Sequence, residues 1–251
     1  MAEALLRTNK LNAYYGDFQA LFGVDIDLSD GEVVAIIGAN GAGKSTLLRS
    51  IAGLNNNDAS QINFRGCDIG SLRADQIAEL GIALVPEGRQ LFESLSVEEN
   101  LIIGSRTGRP GRWKLSSVYQ LFPVLKERRL VPATQLSGGQ QQMVAIGRAL
   151  MSNPDLMLFD EMSLGLAPII IKSIYEALPD IIDEGISALI VEQDINKALS
   201  VSSRFYCLQE GKVALAGESQ HASREEISRA YFGVDAEPAI TVGSGLSLIH
   251  I

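Results

Sequence analysis

Short apolar runs bounded by glycine, asparagine and acidic residues recur along the chain. Between them lie segments whose apolar positions repeat every three or four residues. Glu32–Ile37 is such a run; it leads into a glycine-rich loop, and Ile82–Val85, Leu156–Phe159 and Ser187–Val191 have the same character. Runs of this length, rich in branched residues and lacking alternation, predict strands buried on both faces. Ser45–Ala52 places Leu47, Leu48 and Ile51 on one side, which predicts a helix that Gly53 stops. The segments around Leu5–Leu11, Val24–Leu28 and Gln61–Phe64 alternate and are bounded by turns, as antiparallel strands do. Phe205–Leu208 and Lys212–Ala216, split by Glu210-Gly211, predict a late hairpin. Strands alternating with helices imply an α/β core.

From about residue 91 to 152 strand signals fade and helical ones dominate, so a helical subdomain is expected there, with Arg106–Trp113 as a loop within it. Residues 243–251, a run of Gly, Ser, Leu and Ile, differ from the rest and read as an appended tail. Residues 1–242 then form a single domain. At 251 residues and 46% hydrophobic content, the chain can bury a sizeable core. No apolar run approaches the roughly 18 residues needed to span a bilayer, and the N-terminus lacks the pattern of a signal peptide. Two distant cysteines, Cys67 and Cys207, fit a reducing cytoplasm. The net charge of −9 argues against broad attraction to nucleic acid or anionic lipid. The basic stretches Arg109–Lys114 and Lys126–Arg129 read as solvated surface, and His221 and His250 lack partners for a metal site.

Chemistry concentrates in three places. The octet Gly38-Ala39-Asn40-Gly41-Ala42-Gly43-Lys44-Ser45 lies between a predicted strand and a predicted helix and is followed by Thr46. Glycines allow consecutive N–H groups to converge on phosphate oxygens, the lysine adds charge, and the Ser45 hydroxyl suits Mg²⁺. A glycine turn with a surface lysine is the plain alternative. Asp160 and Glu161 end a predicted buried strand, where acids are costly without a cation or donors. Asp160 fits a Mg²⁺ ligand of P-loop NTPases, and Glu161, expected to point the other way, suits the base for an attacking water. Leu136-Ser137-Gly138-Gly139-Gln140 is a polar double-glycine turn entering a helix over Gln140–Ser152, with Met143, Ile146 and Leu150 as its apolar stripe.

In this order the three motifs resemble the nucleotide-binding subunits of ABC transporters, over about residues 5–235. The resemblance implies a P-loop NTPase core with a mixed sheet flanked by helices, an antiparallel β subdomain and a helical signature subdomain. It implies ATP and Mg²⁺ as ligands. It also implies a head-to-tail dimer in which Ser137, Gly138, Gly139 and Gln140 cap the γ-phosphate held by the opposite subunit. Tyr15, rather than Tyr14, occupies the place of the adenine-stacking aromatic. Glu87 stands where a Mg²⁺-sensing glutamine is usual and keeps that role as a carboxylate. Gln193 replaces the switch histidine, so it donates to γ-phosphate without titrating, and no histidine–glutamate dyad can form. Met162 stands in place of a proline, and Ser163-Leu164-Gly165-Leu166 departs from the usual ending in aspartate.

Val85–Arg89, Leu95–Leu101, Ser163–Pro168 and Val191–Gln193 together are similar to the LivF-type ATPases of branched-chain amino-acid import. That similarity implies an ATP-hydrolysing motor on the inner face of the membrane, paired with an identical or related ATPase and docked on permeases through Glu87–Asn100. Phe92 is the expected anchor, and a periplasmic binding protein would be served indirectly. Import of urea or short amides, a nonhydrolytic regulatory module, and a soluble ABC protein acting on ribosomes or DNA remain as alternatives.

Overall fold

A computed structural model describes residues 4–232; the segment 243–251 lies outside them. In chain order the elements are β1 (Leu6–Thr8), β2 (Leu11–Tyr15), β3 (Phe18–Val24), β4 (Asp27–Leu28), β5 (Val33–Ile37), α1 (Lys44–Ile51), β6 (Ile62–Phe64), β7 (Cys67–Asp68), α2 (Ala74–Leu80) and β8 (Ile82–Val85). There follow α3 (Val97–Gly104), α4 (Leu115–Leu121), α5 (Pro123–Glu127), α6 (Gly138–Leu150), β9 (Leu156–Asp160), α7 (Pro168–Ile182), β10 (Ser187–Val191), α8 (Ile195–Val201), β11 (Arg204–Gln209), β12 (Lys212–Glu218) and α9 (Arg224–Phe232).

Six strands form the central sheet in the order β12-β11-β5-β10-β9-β8. All run parallel except β12, the return arm of the predicted hairpin. Both faces are covered, which is why these strands read as unbroken apolar runs. Leu156 and Leu158 of β9 face one cluster, together with Leu47, Leu48 and Ile51 of α1. Met157 and Phe159 face the opposite cluster, with Val144, Ile146 and Leu150 of α6. Side-chain alternation thus places each consecutive residue of β9 in a different core.

The antiparallel part differs from the single strand expected around Leu5–Leu11. Lys10 has φ 45° and breaks it in two. β1 joins the sheet β4-β1-β6-β7, whereas β2 pairs with β3, a strand not anticipated from the sequence. The signal is nonetheless present: Phe18–Val24 is a run of aromatic and aliphatic residues opening after Tyr15-Gly16-Asp17.

The elements between β8 and β9 are the helices α3 to α6. α6 begins at Gly138 rather than Gln140, and it is buried well beyond a stripe: Gln142, Val144, Ala145, Gly147 and Ala149 are covered along with Met143, Ile146 and Leu150. Pro110, Gly111, Arg112 and Lys114 are exposed as expected, but the stretch is also tied down. Arg109 donates to the carbonyls of Glu79 and Asn153 and pairs with Asp155 at 2.8 Å, while Arg112 pairs with Glu184. Trp113 is buried, and its N–H donates to Asn153 Oδ1 at 2.7 Å. These basic side chains clasp the helical subdomain to the α/β core.

Candidate functional site

The loop between β5 and α1 turns through three glycines with positive φ, of which two are forced by close approach. A Cβ at Gly38 (φ 150°) would sit 2.3 Å from the Leu208 carbonyl oxygen, and one at Gly43 (φ 100°) 2.7 Å from Leu21 Cδ2. Gly43 is the N-cap of α1 and offers no side-chain cap, so the first amides of this helix have no side-chain acceptor. By contrast α3 and α6 each carry a complete capping box, Ser96–Glu99 and Ser137–Gln140. An uncapped helix start behind a glycine loop is suited to an anion.

A cavity of about 800 Å³ opens over this loop, lined among others by Tyr15, Asn40, Gly41, Gly43, Lys44, Ser45, Thr46, Glu87, Glu161 and Gln193. Lys44 Nζ is buried and donates to the carbonyls of Gly38 at 2.8 Å and Ala39 at 3.1 Å, with Glu161 Oε1 3.7 Å away. Ser45 Oγ donates to Asp160 Oδ1 at 2.9 Å. Burial pushes the Asp160 carboxyl above its ordinary range; Glu161 and Glu87 add to the shift, and the Ser45 hydrogen bond and Lys44 oppose it. Ala42 is buried behind the loop in the core that α1 shares with the sheet.

Glu161 lines the cavity, whereas Asp160, bonded to Ser45, is not among its lining residues. β9 ends at Asp160, and Glu161 takes φ 48°, which a carboxylate residue adopts only against a strain of the order of 1 kcal/mol. Its amide donates to the Val191 carbonyl at 3.0 Å, and its side chain turns into the same cavity. There Gln193 Nε2 donates to Glu161 Oε2 at 2.7 Å. The amide nitrogen carries a second N–H, so this bond is compatible with the donation to γ-phosphate expected from the sequence. Nothing in β9 announces the left-handed turn at Glu161.

Tyr15 is 46% exposed beside the cavity, and its hydroxyl donates weakly to Thr46 Oγ1 at 3.4 Å. Tyr14 does not line the cavity, whereas Phe18, Gln19, Ala20 and Phe22 of β3 and Glu210-Gly211 of the late hairpin do. The β3 residues escape a reading of the sequence because the strand that carries them does. Ser137, Gly138, Gly139 and Gln140 are not among the residues lining the cavity. The loop after β8, which carries Glu87, is tied to the signature helix: Arg148 of α6 donates to the carbonyls of Arg89 and Gln90, and Arg89 Nη1 to Gln141 Oε1 at 3.4 Å.

Among the described residues no group of three or more His, Cys, Asp and Glu is arranged to hold a metal by itself. Ser45, Asp160 and Glu87 offer hard oxygen atoms around a carboxyl whose charge is disfavoured by burial. That set fits Mg²⁺, which is held by one or two side chains and completes its shell with phosphate oxygens and water.

Residues 21–163 match the family profile ABC_tran, described as ABC transporter. The chain is 45% identical over 213 residues to the high-affinity branched-chain amino acid transport ATP-binding protein BraG of Pseudomonas aeruginosa, covering 84% of this chain and 91% of that protein. It is 36% identical to the probable branched-chain amino acid transport ATP-binding protein LivF of Archaeoglobus fulgidus, covering 88% of this chain and 95% of that one. A dimeric post-hydrolysis structure of an ATP-binding cassette bound to ADP and Pi superposes with a TM-score of 0.76 at 25% identity, over 85% of this chain and 98% of that one. Cradle, strand-end acids, capped signature helix and these likenesses agree: the chain belongs to the ABC transporter family, as one of its ATP-hydrolysing cassettes.

Proposed function

We propose that this chain is the ATP-hydrolysing subunit of an importer for branched-chain amino acids, working on the inner face of the membrane as half of a dimer. The observation that carries the mechanism is the convergence of Lys44, Ser45 and the Glu161–Gln193 pair on one cavity above an uncapped helix start, with Asp160 bonded to Ser45. Amides of Gly41–Thr46 and the Lys44 ammonium bind the β- and γ-phosphates, and Tyr15 packs against the base. Mg²⁺, when bound through Ser45, Asp160 and Glu87, supplies charge neutralisation on the phosphates. Glu161 accepts a proton from water as its oxygen attacks the γ-phosphorus; the bond from that phosphorus to the bridging oxygen breaks, and ADP and phosphate result. Gln193 holds the Glu161 carboxylate in its aim without exchanging a proton.

Ser137 and the Gly138 and Gly139 amides lie outside the cavity and serve the nucleotide of the opposite subunit, an identical chain or a related one. The dimeric likeness bound to ADP and Pi supports this arrangement. Docking on a permease falls to the loop after β8. Pro86 and Gln90 line a groove of about 380 Å³ between the core and the helical subdomain, and Phe92 is half exposed with the Arg148 guanidinium 5.6 Å from its ring centre. Among the described residues no helix is long and apolar enough to cross a membrane, so attachment would go through such a partner.

The test is reconstitution in liposomes with permease subunits of a branched-chain amino-acid importer and a binding protein. Leucine uptake that needs ATP and is lost in Glu161→Gln is the expected result. Uptake of urea but not leucine would move the solute assignment, and equal hydrolysis by wild type and Glu161→Gln would remove Glu161 from its role.

A further inference from the structure

Glu192 lies one residue beyond β10 and is 2% exposed. Its Oε1 accepts from the Tyr175 hydroxyl at 2.7 Å and its Oε2 from the Ser163 hydroxyl at 2.8 Å. Tyr175 belongs to α7, and Ser163 to the turn that follows Glu161. The next residue, Gln193, reaches back to Glu161. Two consecutive residues at one strand end therefore grip two positions, 161 and 163, of a single loop. That loop begins on the left-handed Glu161 and continues to Leu164, which is 49% exposed.

A carboxylate this deep is an expensive way to fill space. Burial raises its pKa, and the two hydroxyls and the charge of Lys197 hold the shift back. By accepting from both hydroxyls, the acid cross-links β10, α7 and the loop. The Ser163 backbone N–H also bonds Glu192, and Met162 is packed in the core, so the Ser163 hydroxyl acts with these ties, and with those at the strained Glu161, to hold the 161–166 turn to the strand end.

We propose that Glu192 is a positioning residue for hydrolysis, fixing the 161–166 turn through Ser163 so that Gln193 can keep the Glu161 carboxylate aimed into the nucleotide cavity. This rests on Glu161 being the base. The full-length chain is assayed for phosphate release across ATP concentrations, with melting temperature measured in parallel. Ser163→Ala is expected to lower kcat about tenfold, the scale of one lost hydrogen bond to a charged group, with half-saturating ATP and melting temperature nearly unchanged. Ser163→Thr, which restores the hydroxyl, should recover most of the rate. Combining Ser163→Ala with Glu192→Gln should cost no more in kcat than the worse single change.

Wild-type kcat in Ser163→Ala, equal impairment of Ser163→Ala and Ser163→Thr, or a kcat loss that only tracks melting temperature would each overturn the proposal. Should Glu192→Gln fold poorly, Ser163→Ala and Tyr175→Phe give the same answer from the donor side, each expected to lower kcat. Full hydrolysis by Glu161→Gln, whatever Ser163 does, would refute instead the reading on which the proposal rests.

Discussion

Single residues in this cassette are held in positions that stability alone does not favour. Asp160 illustrates the conflict: burial beside Glu161 and Glu87 raises its pKa, so its ionised form costs folding free energy. For an acid raised in the folded state, the stabilising contribution is full below the unfolded value of 3.8 and is lost as pH rises through the folded pKa. Asp160→Asn should therefore raise the nucleotide-free melting temperature at neutral pH, by the equivalent of about 1 kcal/mol. The gain should vanish at acid pH, while Mg²⁺-dependent nucleotide affinity falls. Melting curves from pH 3 to 8 with a parallel binding titration check both; a variant less stable than wild type at pH 7 would show that burial of this charge is fully compensated. The two strand-end acids were legible as a pair, because acids closing an apolar run stand out. Where each side chain goes was not, since Glu161 reaches the cavity from a left-handed backbone position while Asp160 bonds Ser45.

Two helix starts show how one element serves two ends. α1 opens uncapped beneath a glycine loop, while α6 opens with a complete capping box and sits tightly on α7. A Cβ on Gly139 would lie 2.2 Å from Ile170 Cγ2, whereas one on Gly138 would meet the Arg89 guanidinium no closer than 3.2 Å. Gly139→Ala should thus lower stability by about 1–3 kcal/mol through overpacking, and Gly138→Ala should leave it close to wild type. Denaturant melts of the two variants decide this; equal stability would mean that α6 and α7 can separate freely. The sequence motif marks both glycines alike as phosphate donors, and packing against α7 tells them apart.

At the scale of the whole molecule, Arg204 latches the central sheet to the antiparallel one. It donates to Glu32 before β5 at 2.6 Å and to Asp27 of β4 at 3.0 Å, and lies beside Tyr206. Burial acts to raise both carboxyls, but hydrogen bonds and the Arg204 charge leave Glu32 and Asp27 below their ordinary values of 4.5 and 3.8. Lowered carboxyls contribute stability above those values and lose it as pH falls through the folded pKa. Arg204→Ala should hence destabilise the chain most near neutral pH, with the difference from wild type shrinking below about pH 4. Because Asp27 is partly exposed, its share is screened and Glu32 should carry most of the effect. A constant difference from pH 3 to 8 would show that Arg204 acts by packing alone. The sequence by itself determined the α/β class, the buried parallel strands, the late hairpin, the glycine cradle, the helical insertion and the family. Each of these depends on residues close together in the chain, through apolar periodicity, glycine conformation and local spacing. Only the tertiary structure decided the split of the first antiparallel strand at Lys10 and the clasping role of Arg109 and Arg112. It alone brought Glu161 and Gln193 together, and it alone tied Glu192 to Ser163 and Tyr175. These depend on one left-handed residue or on contacts between residues 17 or more positions apart, and no local pattern encodes either.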